Sequence, residues 1–171
     1  MQGVTETCSE CAFDPRAVGD EQLGPELVRL ADGYQGVLAD AGKRELSALD
    51  QRPAPEVWSI LEYTGHVLFL YEMVSEMCGM MAGEDDPAIN GVDPDEHVLE
   101  SRFNEVDAAE MAERIGTAGE RARAALAGLE AGVLDQPLKF NGNPVPLRLM
   151  TVAMVHESHH HLGDVTRLLQ R

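Results

Sequence analysis

Residues 59–83 read SILEYTGHVLFLYEMVSEMCGMMAG, and their reading decides the architecture. Ser59 and Glu62 stand three apart ahead of an apolar run. That is a capping box, in which each side chain satisfies the other residue's free backbone N–H at a helix start. Ile60, Leu61, Thr64, Val67, Leu68, Tyr71 and Val74 then recur at helical spacing. The apolar surface is wide, so this helix is expected to be largely buried. It runs on through Met77, Cys78, Met80 and Met81 to Gly83, a suitable stop.

Three more long helices follow from the same spacing on either side. Upstream, Pro25 favours a start near Gly24-Pro25, and Leu27, Leu30, Ala31, Tyr34, Val37, Leu38 and Ala41 make the stripe, with Gly42 as its end. Ser47 to Pro55 reads as a connection. Downstream, Glu84 to Asp107 is a polar crossover in which Asp93-Pro94-Asp95-Glu96 opens a short helix reaching Phe103. Asp107 and Glu110 open the third long helix, whose core is Met111, Ile115, Ala118, Ala122, Leu126 and Leu129. Gly132 to Pro146 is a loop, at most a weak hairpin around Asn141-Gly142. The last helix runs from Leu147 to Leu169. No segment reads as a convincing strand. The expectation is all-α: a single-domain four-helix bundle over residues 1–171 with long crossover connections, preceded by an arm over 1–20 that carries Cys8 and Cys11.

Charge narrows the partners. The chain carries 30 Asp and Glu against 13 Lys and Arg, a net charge of −17. Nucleic acids and anionic membranes are held by clustered Lys and Arg, so neither is expected. No apolar run is long enough to span a bilayer, and the first fifteen residues lack the basic and apolar regions of a signal peptide. A cytoplasmic location with largely reduced cysteines is the expectation, as is a homodimer through exposed helix faces.

Chemistry concentrates in Val155-His156-Glu157-Ser158-His159-His160-His161-Leu162-Gly163-Asp164. His156 and His160 are four apart, so both imidazoles can aim at one point on a helix face, as a divalent transition metal requires. His159, one turn from His156, is an alternative second donor. A catalytic metal needs a third protein ligand and an open position. His66, in the middle of the buried second helix, is the candidate. Asp164, one turn past His160, can orient a ligand imidazole. Glu157 is rotated roughly 100° from His156 and reads as a supporting or solvated residue. Arg148, two turns before His156, is a candidate contact for an anionic substrate, and His97 is expected to be exposed. Met73, Met77, Met80, Met81 and Met154 read first as core filling and second as an adaptable pocket wall. The Cys8/Cys11 pair admits three readings: a redox pair, half a zinc site, or two separate thiols. A zinc site needs two further ligands and no second C-x-x-C exists, so structural or redox-labile thiols are favoured.

Two motifs, Val57-Trp58-Ser59-x-x-Glu62-Tyr63-x-x-His66-Val67 and His156-x-x-x-His160-His161-Leu162-x-Asp164-Val165, resemble the DinB-like superfamily. The resemblance is to its actinobacterial branch, related to mycothiol-dependent maleylpyruvate isomerase and bacillithiol transferases. Cys8-Ser9-Glu10-Cys11-Ala12-Phe13-Asp14-Pro15 looks like the opening of one actinobacterial subgroup. The resemblance implies a bundle with a His triad, here His66, His156 and His160, holding zinc or nickel. It implies for some relatives a low-molecular-weight thiol as cosubstrate. The isomerase has a further C-terminal domain that these residues lack, so the expectation is related chemistry rather than that activity. A metal of this kind lowers the pKa of bound water or thiol, and thiolate is the reactive nucleophile. The leading expectation is therefore a thiol S-transferase acting on a small molecule. A noncatalytic metal-binding or sensing protein and a metal–water hydrolase are the alternatives.

Overall fold

The computed structural model of the chain describes residues 6–43 and 49–170. The expectations for residues 1–5, and for the beginning of the connection at Ser47, fall outside these. Four long helices form the bundle: α1 (Asp20–Lys43), α2 (Ile60–Gly83), α4 (Ala108–Ala127) and α5 (Leu147–Leu169). A short α3 (Pro94–Ser101) lies in the crossover between α2 and α4. Both α1 and α2 pack along α4 and along α5. Neither α1 with α2 nor α4 with α5 makes a comparable contact among the described residues. The first two long helices therefore sit diagonally across the bundle, as do α4 and α5, so the α1–α2 and α4–α5 connections cross it, whereas α2 and α4, joined through α3, are neighbours.

The α2 start is the one the capping box specifies. Ser59 Oγ accepts from the Glu62 N–H at 3.0 Å, and Glu62 Oε2 accepts from the Ser59 N–H at 2.8 Å. Burial extends round most of the helix, from Ile60 to Cys78. α4 is capped by Asp107, whose carboxylate accepts from the N–H groups of Ala109 and Glu110. α3 is capped in the same way by Asp93, and it ends at Ser101, before Arg102 turns into the left-handed region and a 3-10 turn follows at Phe103–Glu105. None of these described helices is long and apolar enough to cross a membrane.

Two expectations are corrected. α1 begins at Asp20 rather than at Gly24-Pro25, so Pro25 lies inside the helix. Asp20 and Glu21 favour the positive end of the helix dipole there, and the fully buried Leu23 anchors the added turn. The Gly132–Pro146 segment is a true hairpin, β2 (Pro137–Phe140) with β3 (Asn143–Pro146), and β1 (Ala88–Ile89) adds to β2 in parallel. Asn141 and Gly142 both have positive φ, 50° and 77°, as the commonest two-residue hairpin turn requires. Prolines at 137, 144 and 146 obscured the strand pattern, and they are tolerated because so short a sheet is mostly edge.

Candidate functional site

His66 is placed by its neighbours on α2. Gly65 precedes it, and a Cβ at Gly65 would lie 2.2 Å from Cγ of Phe103. Only glycine lets the crossover's Phe103 close on the helix at that point. Trp58 lies tilted against the His66 ring, centroids 5.1 Å apart, and is itself held by its indole N–H donating to Asp95 at 2.8 Å. His66 is 7 % exposed, and its Nδ1 is buried without a hydrogen-bond partner. Burial, and then the charge of His161, lower its pKa to about 4. The ring is neutral near pH 7, the form in which imidazole binds metal.

α5 brings Glu157 and His161 to the same place. One donor atom from each of His66, Glu157 and His161 lies within 4.8 Å of the other two. His161 Nε2 stands 3.4 Å from Glu157 Oε2, and its Nδ1 stands 2.9 Å from Asp164 Oδ2. Asp164 thus accepts from the Nδ1–H and leaves Nε2 on the Glu157 side, the carboxylate–histidine arrangement common behind metal ligands. Burial would lower the His161 pKa, but the hydrogen bonds to Asp164 and Glu157 outweigh it and the net shift is upward. The same contact, foremost the His161 hydrogen bond, lowers the pKa of Glu157 against its burial. Tyr63 and Trp58 cover His161, with centroids 5.0 and 5.9 Å away. From α1, the Tyr34 hydroxyl donates to the Ser158 carbonyl at 2.9 Å and fixes the height of α5 in the bundle.

His66 and Glu157 also line a cavity of about 390 Å3. Its walls include Phe69, Met73, Phe140, Met150 and Met154, and no Lys, Arg, Ser or Cys is among its lining residues. The β2–β3 hairpin earns its place here by supplying Phe140. Met73 and Met154 are wall residues as well as core, whereas Met77 is core alone.

The expected triad is divided between two clusters. His66 joins Glu157 and His161, while His156 and His160 join Cys8 and Cys11 on another face of α5. One residue of register explains the division. Met150 and Met154 line the cavity, and positions three and seven beyond Met154 are Glu157 and His161. The histidines one place earlier are turned by roughly 100°. Carboxylates ligate divalent metals as imidazoles do, so Glu157 and His161 formed an equally good i,i+4 pair, and the phase of the two methionines was the signal that could have selected it. Asp164 does orient an imidazole, that of His161; His160 Nε2 is farther from it, at 3.9 Å. His159 lies beside Phe13 rather than with His66, its Nδ1 buried and unpartnered. Arg148 pairs with Asp20 at 2.7 Å and donates to the Val18 carbonyl, so it ties α5 to the start of α1 and lies away from the cavity. His97 is half-buried against Phe69, with centroids 4.1 Å apart, rather than exposed.

The donor set of two imidazoles and one carboxylate, with a buried His66 nitrogen left without a hydrogen-bond partner, fits a divalent transition metal. Fold and site together define a helical bundle with a three-residue candidate metal centre opening on an apolar cavity. The chain belongs to the DinB superfamily, whose family model matches residues 29–165. Among solved structures it is similar to YfiT from Bacillus subtilis, with a TM-score of 0.72, 17 % identity and 93 % of each chain covered. That protein is described as a probable metal-dependent hydrolase with an unusual four-helix bundle topology. At this identity the likeness is one of fold. No curated protein matches the chain.

Proposed function

We propose that this chain is a metal-dependent enzyme that transfers a low-molecular-weight thiol to a small, largely apolar electrophile. The observation that carries the reading is the shared boundary between donor cluster and cavity, since His66 and Glu157 belong to both. A substrate seated on the apolar walls presents its reacting end to those side chains. A divalent ion such as zinc or nickel, held by His66, Glu157 and His161, supplies Lewis acidity at that end. The cluster offers three protein donors and so leaves a position free, which favours catalysis over storage.

The chain's own residues do the rest. Burial keeps His66 neutral, and Asp164 holds the Nδ1 proton of His161 and the orientation of its ring. Trp58 and Tyr63 shield the cluster from water. Met73, Met150 and Met154 adapt the cavity to the substrate's shape. With no cation lining the cavity, an uncharged substrate is favoured over an anionic one. With no Ser or Cys there, the nucleophile arrives from solution. Thiol is the leading nucleophile. Water is the second reading, and the description of YfiT favours it.

One set of assays separates these. Zinc- or nickel-loaded protein, with apoprotein as control, is offered alkylating electrophiles with and without small thiols, and aryl esters and amides without thiol. Metal-dependent consumption of thiol and electrophile in equal amounts supports transfer. Ester or amide turnover without thiol selects hydrolysis instead. Inactivity in both arms defeats the enzymatic reading.

A further inference from the structure

We propose that Cys8, Cys11, His156 and His160 form a second metal centre, a closed Cys2His2 zinc site that fastens the N-terminal arm to the outer face of α5. It is independent of the function proposed above, because it uses none of the same ligands. One donor atom from each of the four residues lies within 4.8 Å of the other three. The spacings, C-x-x-C and H-x-x-x-H in that chain order, are those of structural zinc sites. Two thiolates with two imidazoles complete a tetrahedron and leave no open position, so the site is structural rather than catalytic.

The surroundings are built for it. Cys8 to Ala12 is a tight turn, in which the Ala12 N–H donates to the Cys8 carbonyl at 3.0 Å and Ala12 itself adopts φ 58°. That turn directs the backbone N–H groups of Cys11 and Glu10 at the Cys8 sulfur. Phe13, next in the arm, stacks on His156 at 5.2 Å with planes 13° apart and fixes that ring. His156 Nε2 is buried and has no hydrogen-bond partner. His160 turns Nδ1 toward Cys8 Sγ at 4.0 Å and Nε2 toward Glu10 at 3.5 Å. One nitrogen is thus free to coordinate while a carboxylate holds the other. Tetrahedral donors to zinc stand roughly 3.3–3.8 Å apart, so the cluster closes by about 1 Å on binding, within the reach of small side-chain rotations. Thiol protons are released to solvent on coordination.

The test is cobalt(II) titration of the full chain under reducing, oxygen-free conditions. Cobalt in the arm site gives near-ultraviolet thiolate-to-cobalt charge transfer, which the His66 cluster cannot. That band should be lost, with one metal equivalent, in the Cys8→Ser/Cys11→Ser variant. It should persist in His66→Ala, which bears instead on the function proposed above. Circular dichroism establishes that the variants are folded. In the unmutated chain, zinc should shield Cys8 and Cys11 from alkylation as read by peptide mass. Absence of the charge-transfer band in the unmutated chain, or equal alkylation with and without zinc, overturns the proposal and leaves Cys8 and Cys11 as redox-labile thiols.

Discussion

α5 presents two chemically similar faces that differ by one residue of register. One carries Glu157 and His161 and meets His66 across the bundle; the other carries His156 and His160 and meets Cys8 and Cys11 of the arm. The donors on α5 are nearly the same, an i,i+4 pair in each case, yet the neighbours are not. The inner pair has an apolar cavity beside it and, among the described residues, one further donor, His66, so the set would leave a position free. The outer pair is covered by Phe13 and two thiols, so it does not. What a metal-binding pair on a helix can do is therefore decided by the segment packed over it.

The largest effect that could break this comparison is the loss of His66. His66→Ala removes a donor from the inner cluster alone and should cost that site's metal-dependent activity more than about 100-fold, beyond the loss usual for a supporting residue. Steady-state assays beside His156→Ala measure the difference, and equal losses in both variants would show that the two faces do not have separate roles. Next is Asp164→Asn, which keeps the shape but weakens the hold on the Nδ1 proton of His161. A fall of about 10–100-fold in metal affinity at the inner site is expected, read by competition with a chromophoric chelator. Asp164 also pairs with Arg167 one turn on, and an unchanged affinity would leave it with that role and no more.

Smaller still is the effect of Gly65→Ala. The added methyl would meet the Phe103 ring, so either α2 or the crossover must shift, at a cost of about 1–3 kcal/mol in denaturant unfolding. Because His66 is adjacent, the same variant should weaken metal binding at the inner cluster and leave the outer cluster untouched. A variant of undiminished stability would mean that Phe103 moves aside freely and does not position His66.

These particulars also separate what the amino-acid sequence reveals from what it conceals. The start of α2 was legible because a capping box is local: Ser59 and Glu62 need only each other. The bundle was legible from apolar spacing, and the DinB-like resemblance from the motifs around His66 and in the last helix. The elements that meet at the site were therefore readable, and the register between them was not. His156/His160 and Glu157/His161 overlap, and preference for imidazole over carboxylate selected the pair that faces the arm. The partners of Cys8 and Cys11 were hidden for a different reason. They lie at the far end of the chain, and only tertiary packing through Phe13 brings them together. The early start of α1 likewise depends on Leu23 being buried, which local propensity does not state.

Glu62 offers the finest adjustment, on the α2 side of the comparison. Its Oε2 accepts from the Ser59 N–H and from Arg52 Nε, both at 2.8 Å. Burial alone would raise its pKa; the Arg52 and Ser59 hydrogen bonds outweigh burial and hold it below the ordinary 4.5. A carboxylate depressed in the folded state contributes stability that is complete above its unfolded pKa and disappears as pH falls through the folded value. Glu62→Gln can still cap α2 but loses the charged bond to Arg52. It should be less stable than the unmutated chain by about 1 kcal/mol at pH 7, allowing for solvent screening at Arg52. That gap should stay constant down to the region of pH 4.5 and close below it, as followed by urea unfolding at stepped pH. A gap that persists undiminished in acid would mean the glutamate acts through shape and hydrogen bonding rather than charge, and that His66 is positioned by a cap indifferent to pH.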